Sequence, residues 1–387
     1  MKFKISFFTN KFLCLILFSS LILAQNKKEP EPENEEKEIT IDHEKEIVFG
    51  QSIYKTGSFQ LYGEIIEKAI LACFNRINKE GGIKGKTLRL ISMDDKGQPA
   101  LAEQNIKQML EKYKIDMFLG NMGTRSILKV LPMIQTGKIA MFFPWGGDEK
   151  LRDPQLTHIV NGPGLIKPQI DAIVDYINDN LKFKKIAIFH ADDDFSINNA
   201  NNTIKSLERN MVTPIKTVSY NRFTLDIHSI ADKLLEKDPK VVICLSTSHP
   251  TSKLISRFFE KGSFGTYFFG IDSTLFVGDI LREKGVNFYY SAAVPDPKNI
   301  NIPIVKQYQE DLKASFPKEN LNILSLAYYI AAKILVQAIK KISGQVTKER
   351  IIQQIENMQN FDLEGFNITF DPKNRHAFGK KISIIKG

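Results

Sequence analysis

The chain has 387 residues, of which 43% are hydrophobic and 25% are charged. This composition indicates a globular protein long enough for two packed lobes, and it excludes both a disordered chain and a bundle of membrane helices. The formal net charge of +9 is spread along the chain without a cluster of Lys and Arg interleaved with aromatic residues, so it does not indicate nucleic-acid binding.

The first 46 residues have the features of an export signal followed by a charged tether. Lysines precede an apolar run from Leu13 to Leu23 that is short for a membrane span, which predicts a signal peptide over 1–24 and cleavage near Ala24. Residues 25–46 are rich in Lys, Glu, Pro and Asn and predict a tether. Cys14 lies too early in the chain for a lipid anchor. An uncleaved N-terminal helix is the remaining alternative, and it would be the one route to membrane contact. No later stretch is expected to be long and apolar enough to span a membrane, so we expect the rest of the chain in the periplasm.

Two cysteines remain after the predicted cleavage, and both fall in apolar surroundings. Cys73 lies on the apolar stripe of a predicted helix, and Cys244 lies inside a predicted strand. Because a buried free cysteine behaves as a small apolar side chain, we expect two free thiols and no disulfide.

The first half of the chain alternates short apolar runs with longer amphipathic runs, which predicts βα units and a parallel sheet. The predicted strands and helices are Ile47–Ile53, helix Tyr62–Ile77, Leu88–Met93, a helix from Pro99 to Tyr113, Met117–Gly120 and Ile139–Phe143. The Gly- and Pro-rich residues 161–164 then predict a crossing into a second lobe.

The second half repeats this alternation. Its predicted elements are helix Lys167–Asn180 and the strands Lys185–His190, Ile215–Tyr220, Val241–Leu245, Tyr267–Gly270 and Val286–Ala293. Residues 294–297 predict a return crossing, after which the long helix Asn322–Ser343 is expected to pack on the first lobe. A third crossing at 344–348 would bring the strands Phe366–Phe370 and Lys381–Ile385 to the second lobe.

The sequence therefore predicts an α/β protein of two doubly wound, Rossmann-like lobes joined by three crossings. The first lobe would comprise residues 47–162 and 295–344, and the second would comprise residues 163–294 and 345–387.

Small, hydroxyl-bearing and aromatic residues follow most of the predicted strands. Ligands of doubly wound sheets bind at the carboxyl ends of strands, where backbone N–H groups and hydroxyls can hold a carboxylate and rings can form walls. The same residue types also suit turns and helix caps. Asp272 could cap a helix beginning at Ser273, Trp145 could be a core side chain, and Asp94 and Asp95 are expected to form a turn before Pro99.

No catalytic, metal or cofactor signature is present in the sequence. The glycines of 81–85 lie between a helix and a strand, which predicts a turn and not a dinucleotide loop. The six histidines lack metal-ligand spacing, no serine lies in a nucleophile elbow, and the acidic run 192–194 has no matching acidic loop. We therefore expect neither an enzyme nor a cofactor.

From about Ile47 to its end, the chain resembles the type I periplasmic binding proteins of the branched-chain amino acid (Leu/Ile/Val) transport family. The most specific stretches are Gly50-Gln51-Ser52 with Thr56-Gly57, Asn78 to Gly85, Met93-Asp94-Asp95, Lys184 to Ile188 and Ile368 to His376. The resemblance implies two lobes that close on a ligand by hinge motion and hand it to an ABC-type permease.

The resemblance also implies ligand contacts, residue by residue. In the first lobe they are Tyr62, Asn121, Gly123, Thr124, Trp145, Gly146 and Gly147, and in the second they are Phe195, Thr247, Ser248 and Asp272. The Thr124 and Gly146–Gly147 region would receive a carboxylate or carbonyl group, with only backbone donors at the two glycines. Asp272 would pair with a ligand ammonium, while the segment around Trp145 departs from the relatives that select leucine.

These expectations describe an extracytoplasmic solute-binding protein for a small polar, amine-bearing ligand, without catalysis. Two alternatives stay open at this point. One is a ligand sensor on the same scaffold that signals to a membrane receptor, and the other is an enzyme on a doubly wound fold.

Overall fold

The computed structural model describes residues 40–387 except Ser58, Gly164, Arg222 and Phe223. The predicted signal peptide, its cleavage site, Cys14 and most of the predicted tether lie outside the described residues.

The first sheet has five parallel strands in the order β2-β1-β3-β4-β5. Its strands and helices are β1 Glu46–Ile53, α1 Gln60–Lys79, β2 Thr87–Asp94, α2 Pro99–Tyr113, β3 Met117–Leu119, α3 Thr124–Lys129, α4 Leu131–Gln135, β4 Ala140–Phe142 and β5 Ile159–Val160. The predicted strands and both long helices are confirmed within a few residues, while the two-residue strand β5 was not predicted.

The central strand β1 is buried on both faces, as a parallel strand covered by helices must be. Gly50 lies at its middle, where a Cβ would come within 2.6 Å of the Phe118 ring and 2.9 Å of the Met109 sulfur. Only glycine fits this close approach of β1, β3 and α2. Helix α1 then buries the stripe that the sequence predicts, including Ile66, Ile70 and Cys73.

The second sheet repeats the topology of the first. Its strands and helices are α5 Ile166–Tyr176, β6 Ile186–Ala191, α6 Asp194–Arg209, β7 Lys216–Tyr220, α7 Ile227–Leu235, β8 Val241–Leu245, α8 Ser248–Glu260, β9 Tyr267–Gly270, α9 Val277–Ile280 and β10 Phe288–Ala292. Strands β7-β6-β8-β9-β10 follow one another as β2-β1-β3-β4-β5 do in the first sheet, and all of these pairs are parallel.

The C-terminal segment returns to the first sheet and then joins the second. Its elements are α10 Pro303–Ser315, α11 Ile323–Lys341, α12 Lys348–Glu356, β11 Phe361–Leu363, β12 Phe366–Asp371, β13 His376–Phe378 and β14 Ser383–Lys386. Helix α11 packs along α1 and α12, and β14 pairs antiparallel with β10 at the edge of the second sheet.

The predicted third crossing at 344–348 is wrong. Helix α12 packs on α11, and β12 lies in a small antiparallel sheet with β11 and β13. Ile352, Phe370 and Phe378 bury their side chains in the same apolar cluster as β1, α1 and α11. The chain reaches the second sheet only after β13, because the apolar faces of α12 and β12 are complementary to the first core. We propose that the first lobe extends to residue 378 and that the other lobe boundaries are as predicted.

The expectation that no later stretch could span a membrane also needs correction. Helix α11, within the described part of the chain, is long and apolar enough by composition. In its most apolar window 89% of the residues are buried inside the protein, so α11 is a core helix.

Both predicted free cysteines are buried and unpaired with each other. Burial raises the pKa of the Cys73 thiol to about 12, so this side chain serves as an apolar core residue.

Candidate functional site

The loops at the carboxyl ends of the two sheets face each other, and Tyr62 spans the gap between them. It lies in the first turns of α1, is 6% exposed, and donates a hydrogen bond of 3.0 Å to the carbonyl oxygen of Ser273 in the second lobe. Its hydroxyl also lies 3.1 Å from the hydroxyl of Ser248. Burial raises the Tyr62 pKa, so the group acts as a neutral hydroxyl that ties the lobes together.

An aromatic wall surrounds this hydroxyl. Trp145 stacks on Tyr62 with ring centroids 5.4 Å apart, and Phe276 packs edge-on against Tyr62 at 5.2 Å. Trp145 is only partly buried and comes from the loop after β4. Trp145 is therefore more than a core side chain, because its indole lies beside a contact between the lobes.

The loops after β3 and β4 are joined by backbone hydrogen bonds. The N–H of Trp145 donates to the Asn121 carbonyl at 2.8 Å, and the N–H of Gly123 donates to the Trp145 carbonyl at 3.1 Å. Gly123 has φ of 100°, a conformation that favours glycine. These contacts place Asn121, Gly123 and Trp145 at one edge of the first sheet.

Thr124 and Gly147 contact each other in the same region. The Gly147 N–H donates to Thr124 Oγ1 at 3.2 Å, which leaves the Thr124 hydroxyl proton available to an acceptor. The Gly147 N–H, which was predicted to donate to the ligand, thus already has an acceptor within the protein. Opposite Gly147 lies Phe195 of the second lobe, whose ring would be 2.3 Å from a Cβ at this glycine.

In the second lobe, Thr247 and Ser248 begin helix α8 directly after β8. Thr247 is the N-cap residue, and Ser248 is 4% exposed. The Ser248 hydroxyl accepts the Phe276 N–H at 3.2 Å and approaches the Ser273 carbonyl at 3.3 Å. Ser248 therefore organises the contact with Tyr62.

Asp272 follows β9 and is held by the amide of Gln169. The Asp272 carboxylate accepts a hydrogen bond from Gln169 Nε2 at 3.0 Å, and the Asp272 N–H donates to Gln169 Oε1 at 3.0 Å. Gln169 is fully buried and also accepts from the Ser291 hydroxyl at 2.8 Å. This clasp fixes the direction of the carboxylate.

Burial raises the pKa of Asp272 to about 6, against the lowering effect of its bonds to Gln169 and to the Ser273 backbone. The bond to Ser273 fits the alternative role of Asp272 as a helix cap. A local cap alone does not explain the two hydrogen bonds from Gln169, which lies on another helix. The negative charge of Asp272 also contributes to raising the pKa values of Tyr62 and Tyr328, after the larger effect of burial. No basic side chain within the described ranges forms an ion pair with this carboxylate, which leaves it suited to an external cation.

Two buried polar residues of the first lobe were not predicted. Arg152 ends the 3₁₀ turn Glu149–Arg152, is 8% exposed, and donates to the Gly146 carbonyl at 2.7 Å and to the Asn161 side-chain oxygen. Tyr328 lies on α11 and is fully buried. Burial raises the pKa of Tyr328 well above its usual value, so its hydroxyl stays neutral.

Sequence reasoning missed these residues for identifiable reasons. Arg152 lies in a charged run that is typical of solvent-exposed turns, and Tyr328 lies in a helix that is apolar on every side. Gln169 lies in no recognisable sequence motif. The contacts of Gln169 with Asp272 and of Arg152 with Gly146 depend on tertiary structure that spacing along the chain does not encode.

Within the described ranges, no group of three or more His, Cys, Asp or Glu side chains is arranged to hold a metal ion. Acidic residues at the start of α6 and at the end of β2 instead form turns and caps. Asp193 caps α6 through the Ser196 N–H, and Asp94 accepts the Thr56 hydroxyl at 2.6 Å and the Lys55 N–H at 2.9 Å. Asp95 accepts the Gly97 N–H at 2.8 Å, so the turn predicted for this pair is confirmed.

Two doubly wound lobes, joined by three crossings and facing each other with polar loops, define a type I solute-binding fold. A family model described as a periplasmic binding protein matches residues 46–384. The chain therefore belongs to the periplasmic binding protein family, and the resemblance inferred from its motifs is confirmed.

Curated relatives and solved structures agree with this assignment. The chain is 24% identical over 212 residues to the Leu/Ile/Val-binding protein homolog 3 of Brucella melitensis, a match that spans 55% of this chain and 57% of that protein. A possible leucine/isoleucine/valine-binding protein from Rhodopirellula baltica superposes with a TM-score of 0.80 at 23% identity, over 90% of this chain and 96% of that one. The branched-chain amino acid transporter substrate binding protein of Streptococcus pneumoniae, solved in complex with isoleucine, gives a TM-score of 0.75 at 16% identity, over 89% and 100% of the two chains.

Proposed function

We propose that this protein captures a small, amine-bearing solute of the amino acid class between its two lobes and delivers it to an ABC-type permease, without chemical change. The observation that carries the proposal is the Asp272 carboxylate, which Gln169 holds in place and which has no cationic partner among the described residues. Membership of a family of extracytoplasmic solute-binding proteins supports the same function and a periplasmic location.

The ammonium group of the ligand would pair with Asp272. Burying an unpaired charge is costly, and a cation within about 4 Å of the carboxylate would remove the penalty that now raises its pKa. Gln169 would hold the carboxylate in the direction required, so little side-chain entropy would be lost on binding.

The opposite end of the ligand would meet the first lobe. The Thr124 hydroxyl retains its proton as a donor, and Asn121 Oδ1 is buried without a hydrogen-bond partner among the described residues. Tyr62, Trp145 and Phe195 would enclose the apolar part of the ligand. Because Tyr62 and Phe195 also contact the opposite lobe, enclosure of the ligand and closure of the lobes would occur together.

A thermal-shift panel of amino acids, their amides, carboxylates without an amine, and sugars tests the binding proposal. A ligand at about 100 times its Kd adds about 2.7 kcal/mol to the free energy of unfolding. We expect stabilisation by amine-bearing compounds, and loss of that stabilisation in Asp272→Ala. The exposed Asp279→Asn, on the same lobe, serves as the matched control. Stabilisation only by compounds without an amine would contradict the assignment of Asp272.

Delivery to a permease is a separate step and needs its own experiment. Deleting the gene in the source organism should abolish high-affinity uptake of the ligand found in the panel, and the wild-type gene should restore it. Unchanged uptake alongside intact binding would contradict delivery and favour a sensor. Recovery of a chemically altered ligand after incubation with purified protein would instead indicate an enzyme.

A further inference from the structure

A cavity of about 520 Å³ lies where the chain crosses between the two lobes. Each crossing contributes to its lining, through Leu165 at the first, Ala293 at the second and Lys380 at the third. The lining also includes Pro168 of α5 in the second lobe and Phe370 of β12 in the first. We call this space the hinge cavity. It shares no lining residue with the proposed solute contacts in the cleft, and its volume falls in the range of about 300–1,000 Å³ that is usual for small-molecule sites.

Much of the lining of the hinge cavity is apolar. The apolar side chains are those of Leu165, Pro168, Ala293, Phe370 and Ile382. Leu165, Ala293 and Ile382 are only partly buried by the protein itself. An apolar molecule of matching shape would therefore remove further apolar surface from water, which favours its binding.

The polar part of the lining carries an excess of positive charge. Lys373 and Lys380 are exposed, and neither forms an ion pair with a residue that the structure describes. The carboxylate of Asp371 already accepts the Lys373 N–H at 3.0 Å and the Asn374 side-chain amide at 2.8 Å. Desolvation lowers the pKa of His376 to about 4, so this ring adds no charge at neutral pH. Two lysines against one carboxylate that already has partners favour an anionic occupant.

The hinge cavity is present while the lobes are closed. Tyr62 donates to the Ser273 carbonyl across the cleft at 3.0 Å, and the Phe195 ring lies against Gly147. Rotation of the lobes about the crossings would move α5 relative to β12 and change the shape of the cavity between them. A molecule that fits the cavity as it is in the closed protein would bind that arrangement more tightly and shift the population toward it.

We propose that the hinge cavity is a second ligand site, which takes a small organic anion with an apolar body and stabilises the closed arrangement of the lobes. The apolar body would lie against Leu165, Ala293 and Ile382. The anionic group would lie near the ammonium groups of Lys373 and Lys380. Because the site is separate from the cleft, its occupant would act on solute capture without competing for the same contacts.

The test is a fluorescence titration of the purified protein with two probes that share one aromatic body. The first, 1-anilinonaphthalene-8-sulfonate, carries an anionic group, and the second, N-phenyl-1-naphthylamine, lacks it. We expect saturable binding of the sulfonate to the wild-type protein. Replacing Lys373 and Lys380 together by Ala should weaken the sulfonate about three- to tenfold and change the affinity of the neutral probe less than about twofold.

Replacing Lys381 and Lys386 together by Ala is the matched control. Both lysines are exposed and lie outside the lining, and their loss removes the same charge from a neighbouring segment. This control should leave the affinities of both probes unaltered.

Two further measurements locate the site and test closure. Ala293→Phe would fill part of the cavity and should abolish binding of both probes, whereas Asp272→Ala in the cleft should leave their affinities unchanged. If Ala293→Phe does not fold, the exposed lysine pair and Asp272→Ala still decide. Small-angle scattering should report a smaller radius of gyration when the sulfonate is bound, because the occupied site favours closed lobes.

Four results would overturn the hinge site: no saturable binding of the sulfonate, unchanged sulfonate affinity without Lys373 and Lys380, equal weakening of the two probes, or loss of binding in Asp272→Ala. A radius of gyration that is unchanged or larger with the sulfonate bound would overturn the stabilisation of closed lobes. None of these results bears on solute capture in the cleft, which the thermal-shift panel tests separately.

Discussion

Replacing Asp272 by Asn should make the unliganded protein more stable and the ligand complex weaker. The substitution keeps the shape of the side chain and removes its charge. The pKa of Asp272 rises from 3.8 to about 6 in the folded protein, so the folded state holds this proton more tightly than the unfolded state does. The charge therefore destabilises the fold, and the penalty appears as the pH rises through that window.

The size of the effect follows from that shift. A shift of about two pKa units corresponds to about 3 kcal/mol at pH 7.5, and partial exposure of the side chain reduces this to about 1–3 kcal/mol. Differential scanning calorimetry of Asp272→Asn should show a Tm increase of roughly 1–5 °C at pH 7.5. The increase should largely vanish near pH 4, where the wild-type carboxylate is protonated in the folded protein.

Ligand binding should change in the opposite direction. Leaving a ligand ammonium opposite a neutral amide costs about 2–4 kcal/mol, which weakens affinity by about 30-fold or more. The exposed Asp279→Asn should change neither property. An Asp272→Asn protein that is no more stable than the wild type at pH 7.5, and that binds the amine-bearing ligand equally well, would refute the assignment of this carboxylate.

Three further predictions concern closure and charge in the cleft. Affinity for an amine-bearing ligand should fall as the pH drops below about 6, because the ammonium requires the ionised form of Asp272. Calorimetry in two buffers should detect proton release on binding below that pH. Tyr62→Phe removes the hydrogen bond to the Ser273 carbonyl, so affinity should fall by about three- to tenfold, and small-angle scattering should report a larger radius of gyration. Gly147→Ala places a methyl group against the Phe195 ring and should weaken binding, whereas the double variant with Phe195→Ala should recover part of the loss.

Each of these three predictions can fail independently. A pH-independent affinity between 5 and 8 would show that Asp272 does not meet the ligand charge. Wild-type affinity and dimensions in Tyr62→Phe would show that its hydroxyl does not hold the lobes together. Additive losses in the Gly147 and Phe195 double variant would show that the two residues do not meet on closure.

Most of the fold was predictable because its central strands are short, wholly apolar runs separated by amphipathic helices. β8 and β9 have the predicted bounds, and the carboxyl ends of the predicted strands indicated the loops that meet in the cleft. The third crossing was misplaced, because a Gly-containing break after α11 has the same local pattern whether the chain changes lobe or turns back. The apolar faces of α12 and β12, which pack on α11 and its neighbours, decide between these paths.

The structure brings the predicted loops together, but the residues that orient them lie far away along the chain. Gln169 reaches Asp272 across 103 residues of sequence, and Tyr62 reaches Ser273 across 211. The burial of Arg152 gave no signal, since a charged residue in a turn usually faces solvent. Long-range contacts of this kind depend on how the lobes pack, which local pattern does not determine.

A crystal structure of the protein with the amino acid that stabilises it most would test the central claim most directly. We predict the ligand between the lobes, with its nitrogen about 3 Å from a carboxylate oxygen of Asp272 and beside the ring of Tyr62. A ligand bound outside this cleft, or one whose nitrogen lies away from Asp272, would contradict the proposed mode of recognition.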